Sequence, residues 1–301
     1  MTSYKTDGTV GEWAREKLDV LGRYLSAYTT ILRKYGFQDY YYVDAFAGEG
    51  RSALRSEKEA DNEPLLSQIA AFRREDPAEI EFIDGSPLVA LGVRHSFKKY
   101  IFIEKNPKRL DKLRAIAANS PLRERIEIVA GDANDALKDR LLSSRINWTR
   151  NRGVVLLDPF GLQVPWSTIE MLARTAALEV IVNFPVGMAI QRLLPKSSQF
   201  SAQQRKRLTE YFGAPDWEAL LYAESSDLFG GTVRTKVSDS GNRLAKWYRD
   251  RLRQAFGHAT MPRLITNRQG GHLYYLLHAG PNETGVKIAS DVLMKGGKLV
   301  R

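Results

Sequence analysis

At 301 residues the chain is long enough for one large α/β domain or two small ones, with ample core to fold without staples. It has no cysteine, which excludes disulfides and thiolate chemistry, and its four histidines (His95, His258, His272, His278) lack metal-ligand spacing, so no metal site is expected. A formal charge of +10 favours a polyanionic partner such as nucleic acid, and with no apolar run near the ~20 residues of a bilayer span the expectation is a soluble, cytoplasmic protein.

Residues 11–36 place Trp13, Leu18, Leu21, Leu25, Tyr28, Ile31 and Leu32 at helical spacing before Gly36. They predict an amphipathic helix, an N-terminal extension (1–36) packed against a main domain over 37–301. In Asp39–Ser52, DYYYVDAFAGEGRS, the run Tyr40–Val43 suits a buried strand ending at Asp44. Phe46, Ala47, Gly48 and Gly50 follow, and small residues there let a ligand approach the backbone. In open α/β sheets the turn after the first strand is the usual cradle for a nucleotide-like cofactor. A plain tight turn explains the same residues.

Residues 51–79 form a long charged excursion with a helix expected over Pro64–Arg74. A short strand then leads to a helix start at Ser86, which either presents N–H groups to a cofactor carboxylate or caps its own helix. Tyr100–Glu104 reads as a second core strand, with Lys105 opening the next turn. Glu104 stands where nucleotide-binding α/β folds accept hydrogen bonds from ribose hydroxyls; taken alone it reads equally as a solvated strand end. Arg125–Ala130 is a third strand leading into Gly131-Asp132-Ala133-Asn134, where a polar turn can receive the exocyclic amine of an adenine or cap a helix. A fourth strand, Gly153–Leu157, runs into Asp158-Pro159-Phe160-Gly161. There a planar base could stack on Phe160 while its amino group donates to Asp158 and to the Pro159 carbonyl, or the four residues form a plain turn.

Leu178–Phe184 is a fifth strand. Residues 187–232 break the alternation and read as a helical insertion over the same rim, with Arg192, Lys196, Arg205, Lys206 and Trp217 as candidates to touch phosphates and bases, or as a structural cover. A basic helix over Arg243–Phe256 follows. Arg263–Thr266 and His272–Ala279, joined through a Gly-Gly turn, predict an antiparallel hairpin before a last helix.

The layout expected is a doubly wound, Rossmann-like seven-stranded α/β sheet with a terminal hairpin and an insertion after strand five. It resembles the class I methyltransferases, on Asp44-Ala-Phe-Ala-Gly-Glu-Gly, Glu104, Gly131-Asp132-Ala-Asn134 and Asp158-Pro159-Phe160. More finely, the ordered phrases YYVDAFAGEG, DGSPLVAL, FIEKNPKR, VAGDAND, LLDPFGLQVPW, VNFP and HLYYLLHA are similar to the three-Cys-motif partner family, from about Trp13 to about Lys295. That resemblance implies S-adenosylmethionine as cofactor and a partner bearing three cysteines, of radical S-adenosylmethionine type. With the ordered acids Asp44, Glu104 and Asp132, the expected activity is methyl transfer to nucleic acid, with an exocyclic base nitrogen as the leading acceptor; the alternative is a catalytically silent scaffold that binds nucleic acid or the partner. Asp158-Pro159-Phe160-Gly161 is similar to the Asp/Asn-Pro-Pro-Tyr/Phe motif of amino-methylating enzymes but lacks one residue between proline and aromatic.

Overall fold

Five runs of β-branched and aromatic residues become the parallel strands β1 (Tyr40–Asp44), β2 (Lys99–Glu104), β3 (Ile126–Ala130), β4 (Arg152–Leu157) and β5 (Leu178–Phe184). The hairpin follows as β6 (Arg263–Thr266) and β7 (His272–Gly280). The computed structural model describes residues 9–10, 13–54, 82–142, 146–195, 199–226, 232–267 and 269–295; the helix expected over Pro64–Arg74, and Lys196, lie outside them. The strand order is β3-β2-β1-β4-β5-β7, with β6 and the short strand His258–Ala259 both antiparallel to β7. β7 runs antiparallel to β5, and every other pairing from β3 to β5 is parallel. This is the doubly wound, Rossmann-like α/β sheet expected from the sequence.

Both faces are covered, which is why the strands read as nearly continuous apolar runs. Tyr42, Tyr100, Phe102, Val154 and Leu156 point to one face, where α1 (Trp13–Leu32), α2 (Ser86–Leu91), α3 (Pro107–Ala118) and the late helix Glu283–Lys295 supply Leu25, Ala90, Leu113 and Ala289. Val43, Ile101, Ile103, Val155 and Leu157 point to the other. There they meet α4 (Ala133–Leu141), α5 (Trp166–Ala173), α6 (Ala202–Phe212), α7 (Trp217–Leu221) and α8 (Ser240–Phe256), and the late helix becomes α9. Leu25 of α1 is fully buried, and burying a leucine contributes about 1.5–3 kcal/mol, so α1 is anchored by its apolar face and not merely appended.

The segment after β5 differs from a purely helical insertion. It opens with a π-helical turn, Val186–Ile190, carries α6 and α7, and continues into an antiparallel ribbon, Tyr222–Ser226 with Thr232–Lys236. α6 is held by a capping box between Ser201 and Gln204 and stopped by left-handed Gly213. A second small sheet joins Thr9–Val10, Arg51–Leu54 and Phe82–Asp84. No helix among the described residues is long and apolar enough to cross a membrane.

Candidate active site

Parallel pairing brings the strand ends together by construction. Asp44 lies opposite Phe102 of β2 and Leu156 of β4, so Glu104 and Asp158 stand two residues, about 6–7 Å, further along the strands that flank it. The chain leaves β1 toward β2 on one side and returns with β4 on the other. The β1/β4 boundary is therefore the topological switch point, outside whose carboxyl end such sheets bind ligands.

The glycine turn sits on this crevice. Ala45 N–H donates to Leu156 O (3.1 Å) and Ala47 N–H to Ile103 O (2.9 Å), which ties the turn to both neighbouring strands. Gly85 N–H donates to Gly50 O (2.7 Å), joining it to the start of α2. Gly48 (φ +65°) and Gly50 (φ +85°) are both left-handed, a conformation that disfavours any side chain. Their surroundings differ. A Cβ on Gly50 would lie 2.5 Å from the Ile116 side chain, whereas one on Gly48 would meet nothing within 4 Å. Gly131 (φ +145°) likewise borders open space. Gly50 thus serves packing, and Gly48 and Gly131 leave room for a ligand.

Asp44 is fully buried. It accepts hydrogen bonds from the Phe46 N–H and the Tyr42 hydroxyl, each at 3.2 Å, and from the Ser86 side chain. Burial, aided by the Asp158 charge, pushes its pKa up to about 6 against those hydrogen bonds. Phe46 is half-buried against the core and Ala47 is buried, so these two shape the turn through their backbones. Glu104 Oε1 accepts from the Asn106 N–H (2.7 Å), which orients the carboxylate at the end of β2. Asp132 caps α4, accepting from the Asn134 N–H (3.0 Å) and side chain (3.2 Å), and the exposed Lys105 ammonium lies 3.5 Å away. Burial, the largest single influence, raises the Asp132 pKa, but the Asn134 bonds and Lys105 together outweigh it and hold it below the ordinary carboxylate value. The Asn134 amide is engaged on both sides: it donates to Gln163 O (2.9 Å) and accepts from the Thr168 hydroxyl (2.9 Å). It fastens α4 to the loop after β4, and the neighbouring Ala133 is buried.

At the acceptor end the structure amends the expected hydrogen bonding. The Asp158 carboxylate pairs with Lys17 of α1 and accepts from the Asn183 side-chain amide (2.5 Å), while the Pro159 carbonyl accepts from the Gly161 N–H (3.1 Å). Both acceptors expected to face a base amine already have donors within the chain. Phe160, by contrast, is 77 % exposed. Asn183 Oδ1 is buried without a hydrogen-bond partner among the described residues. A small pocket of about 30 Å³ lined by Lys17, Tyr24, Ser86 and Asp158 has room for about one water and not for an adenosyl group.

The basic candidates divide. Trp217 is a correction: it is completely buried, packed edge-on against Phe200 and stacked on Phe212, with its indole N–H donated to Thr209, so it belongs to the core and reaches no base. Its apolar bulk outweighed its value as an exposed stacking surface. Arg205 and Lys206 lie on the exposed face of α6, paired with Glu218 and Glu210. Arg192 falls in the short helix Gln191–Leu193. Sequence reasoning missed Lys17, Arg109 and the buried Glu49, whose carboxylate pairs with Lys112 (2.6 Å). Only the odd placement of Glu49 between two glycines hinted at any of them.

No family model and no curated protein matches the chain. Among solved structures it is similar to a Legionella pneumophila protein of the family DUF519, at 13 % identity over 92 % of this chain and 91 % of that one, with a TM-score of 0.45. It is also similar to M. jannaschii TYW2 in complex with AdoMet (11 %, 89 % and 75 %, TM-score 0.32). A third is an RNA methyltransferase from Salinibacter ruber in complex with S-adenosyl-L-homocysteine (14 %, 53 % and 74 %, TM-score 0.25). At such scores a likeness carries no argument about activity, which the chain's own residues must carry.

Proposed function

We propose that the chain binds S-adenosylmethionine at the β1/β4 crevice and transfers its methyl group to nucleic acid, with an exocyclic base nitrogen as the leading acceptor. The observation that carries this reading is the row of acids, Asp44, Glu104 and Asp132, ending adjacent parallel strands around a glycine turn whose Gly48 borders open space. Glu104, already oriented by the Asn106 N–H, would accept from ribose hydroxyls; Asp132 would receive the adenine amine; Asp44 and the Gly48–Gly50 turn would line the methionine side. When bound, the cofactor supplies a methyl group on a sulfonium that is already a good leaving group, so the protein's task is alignment. The net charge of +10 suits a polyanionic substrate.

Calorimetry with S-adenosylhomocysteine tests the pocket, and transfer of tritiated methyl onto total RNA and DNA tests the reaction. Glu104→Gln and Asp44→Asn are expected to weaken cofactor binding at least about tenfold, each loss being that of one charged hydrogen-bonding group. Unchanged affinity in both variants would refute the assignment.

A second reading has its own observation. Asp158 and the Pro159 carbonyl are engaged by Lys17, Asn183 and Gly161, which suits a methyltransferase-like scaffold that holds nucleic acid, or the three-Cys partner implied by the family resemblance, without transferring methyl. Cofactor binding with no transfer to any nucleic acid, and nucleic-acid binding that survives Asp158→Ala, would favour it.

A further inference from the structure

Across the mouth of the crevice two side chains from opposite sides meet. Phe160 stands in the turn after β4 with its ring 77 % exposed. Arg109 comes from the first turn of α3, after β2, and its guanidinium carbon lies 5.6 Å from the centre of that ring. β1 runs between β2 and β4, so the contact spans the end of the strand that leads into the Gly48 turn.

Both partners are held by their backbones and not by their tips. The Phe160 N–H donates to Gln163 Oε1 (3.0 Å), and the Arg109 N–H donates to Asn106 Oδ1 (3.3 Å), the cap of α3. Lys105 and Lys112, on the same stretch, each face a carboxylate, but the Arg109 guanidinium has no ion pair among the described residues. A guanidinium held over a ring by a cation–π contact still has N–H donors to offer in the fork that matches a phosphate. The ring keeps one face for a second planar partner. A nucleotide in a strand offers that complement: a flat base beside a phosphate.

We propose that Arg109 and Phe160 form a nucleotide clamp, the open face of Phe160 taking a base turned out of a nucleic-acid strand and the edge of Arg109 taking an adjoining phosphate. The clamp rests on the nucleic-acid reading of the site and adds Arg109 as its phosphate-binding residue. Lysine does not substitute, because an ammonium keeps the charge and loses both the planar stack and the fork.

The test uses the full chain, a short labelled single-stranded oligonucleotide of mixed sequence as RNA and as DNA, and fluorescence anisotropy over a range of salt. Phe160→Ala is expected to weaken binding about tenfold at every salt concentration, the loss of one stacked base. Arg109→Gln is expected to weaken it comparably and to flatten the log–log salt slope by about 0.7, one single-strand phosphate contact. Arg109→Lys should recover the slope but not the affinity. S-Adenosylhomocysteine affinity should be unchanged in all three. The clamp is overturned if Arg109→Gln keeps wild-type affinity and slope, if the wild-type chain binds neither oligonucleotide, or if the Arg109→Gln defect is confined to S-adenosylhomocysteine. Oligonucleotide binding that needs both residues in a chain with no affinity for S-adenosylhomocysteine would uphold the clamp and refute the methyl-transfer reading.

Discussion

Asp44 and Glu179 are both buried carboxylates on the central sheet, one at the carboxyl end of β1 and the other at the amino end of β5. Each accepts from a tyrosine hydroxyl, Tyr42 for Asp44 and Tyr24 for Glu179, and His278 Nε2 lies 2.8 Å from Glu179. Each also has glycines nearby, and here they part. A Cβ on Gly280 or Gly285 would fall 2.7 or 2.6 Å from the Glu179 side chain, so those glycines exist to admit the acid. Gly48, in the turn after Asp44, borders empty space. Buried acid plus tyrosine does not by itself distinguish a site from a strut; what separates these two is that the glycine beside Asp44 faces open space and those beside Glu179 face the acid.

The largest effect that would sharpen this contrast is expected at the strut. Glu179→Ala leaves Tyr24 and His278 without their shared acceptor and should lower unfolding free energy by about 3–5 kcal/mol, read by urea denaturation. Cofactor affinity of the folded fraction should be unchanged. A mild effect would mean the cluster is not a strut.

Asp44 should behave in the opposite sense. Its pKa is pushed up to about 6 in the folded chain, mainly by burial, from an ordinary value of 3.8. Between those two values the folded state holds a proton that the unfolded state has released. Stability conferred by the protonated group is therefore full below the ordinary value, falls as pH rises, and is level above about 6. The group should account for roughly 3 kcal/mol across that window, and Asp44→Asn should abolish the slope while weakening cofactor binding. Wild-type cofactor affinity should decline below about pH 6, as Asp44 takes its proton. A variant that keeps the slope would assign it to another group.

Glycine substitutions divide the two regions again, with smaller effects. Gly285→Ala should cost about 1–3 kcal/mol of stability through crowding against Glu179, with no change in cofactor affinity. Gly48→Ala should cost about 1–2 kcal/mol of backbone strain, while its methyl enters the crevice and weakens S-adenosylhomocysteine binding. Equal cofactor effects in both would erase the distinction. Least of all, Lys206→Ala on the exposed face of α6, 3.9 Å from Glu210, should shift stability by no more than about 0.5 kcal/mol in thermal melts.

Much of the fold was legible because its signals are local. The strands from Tyr40, Tyr100, Arg125, Gly153 and Leu178 announce themselves as short apolar runs closed by an acid, an amide or a turn, and the Gly-Gly turn announces the terminal hairpin. The ribbon Tyr222–Ser226 with Thr232–Lys236 was not legible, since its polar residues carry no apolar alternation. Trp217 was misread because a tryptophan among basic residues gives the same pattern whether it faces solvent or core.

The chain's own order of residues determined which strands run parallel and that Asp44, Glu104 and Asp132 close them. In a sheet crossed over by helices, that alone sends the acids to one edge. Tertiary structure alone decided what surrounds them. Lys17 reaches Asp158 from 141 positions away, Asn183 arrives from the next strand, and Arg109 crosses the end of β1 to meet Phe160. Those contacts depend on how side chains fill the space between packed elements, a long-range property that no local spacing encodes.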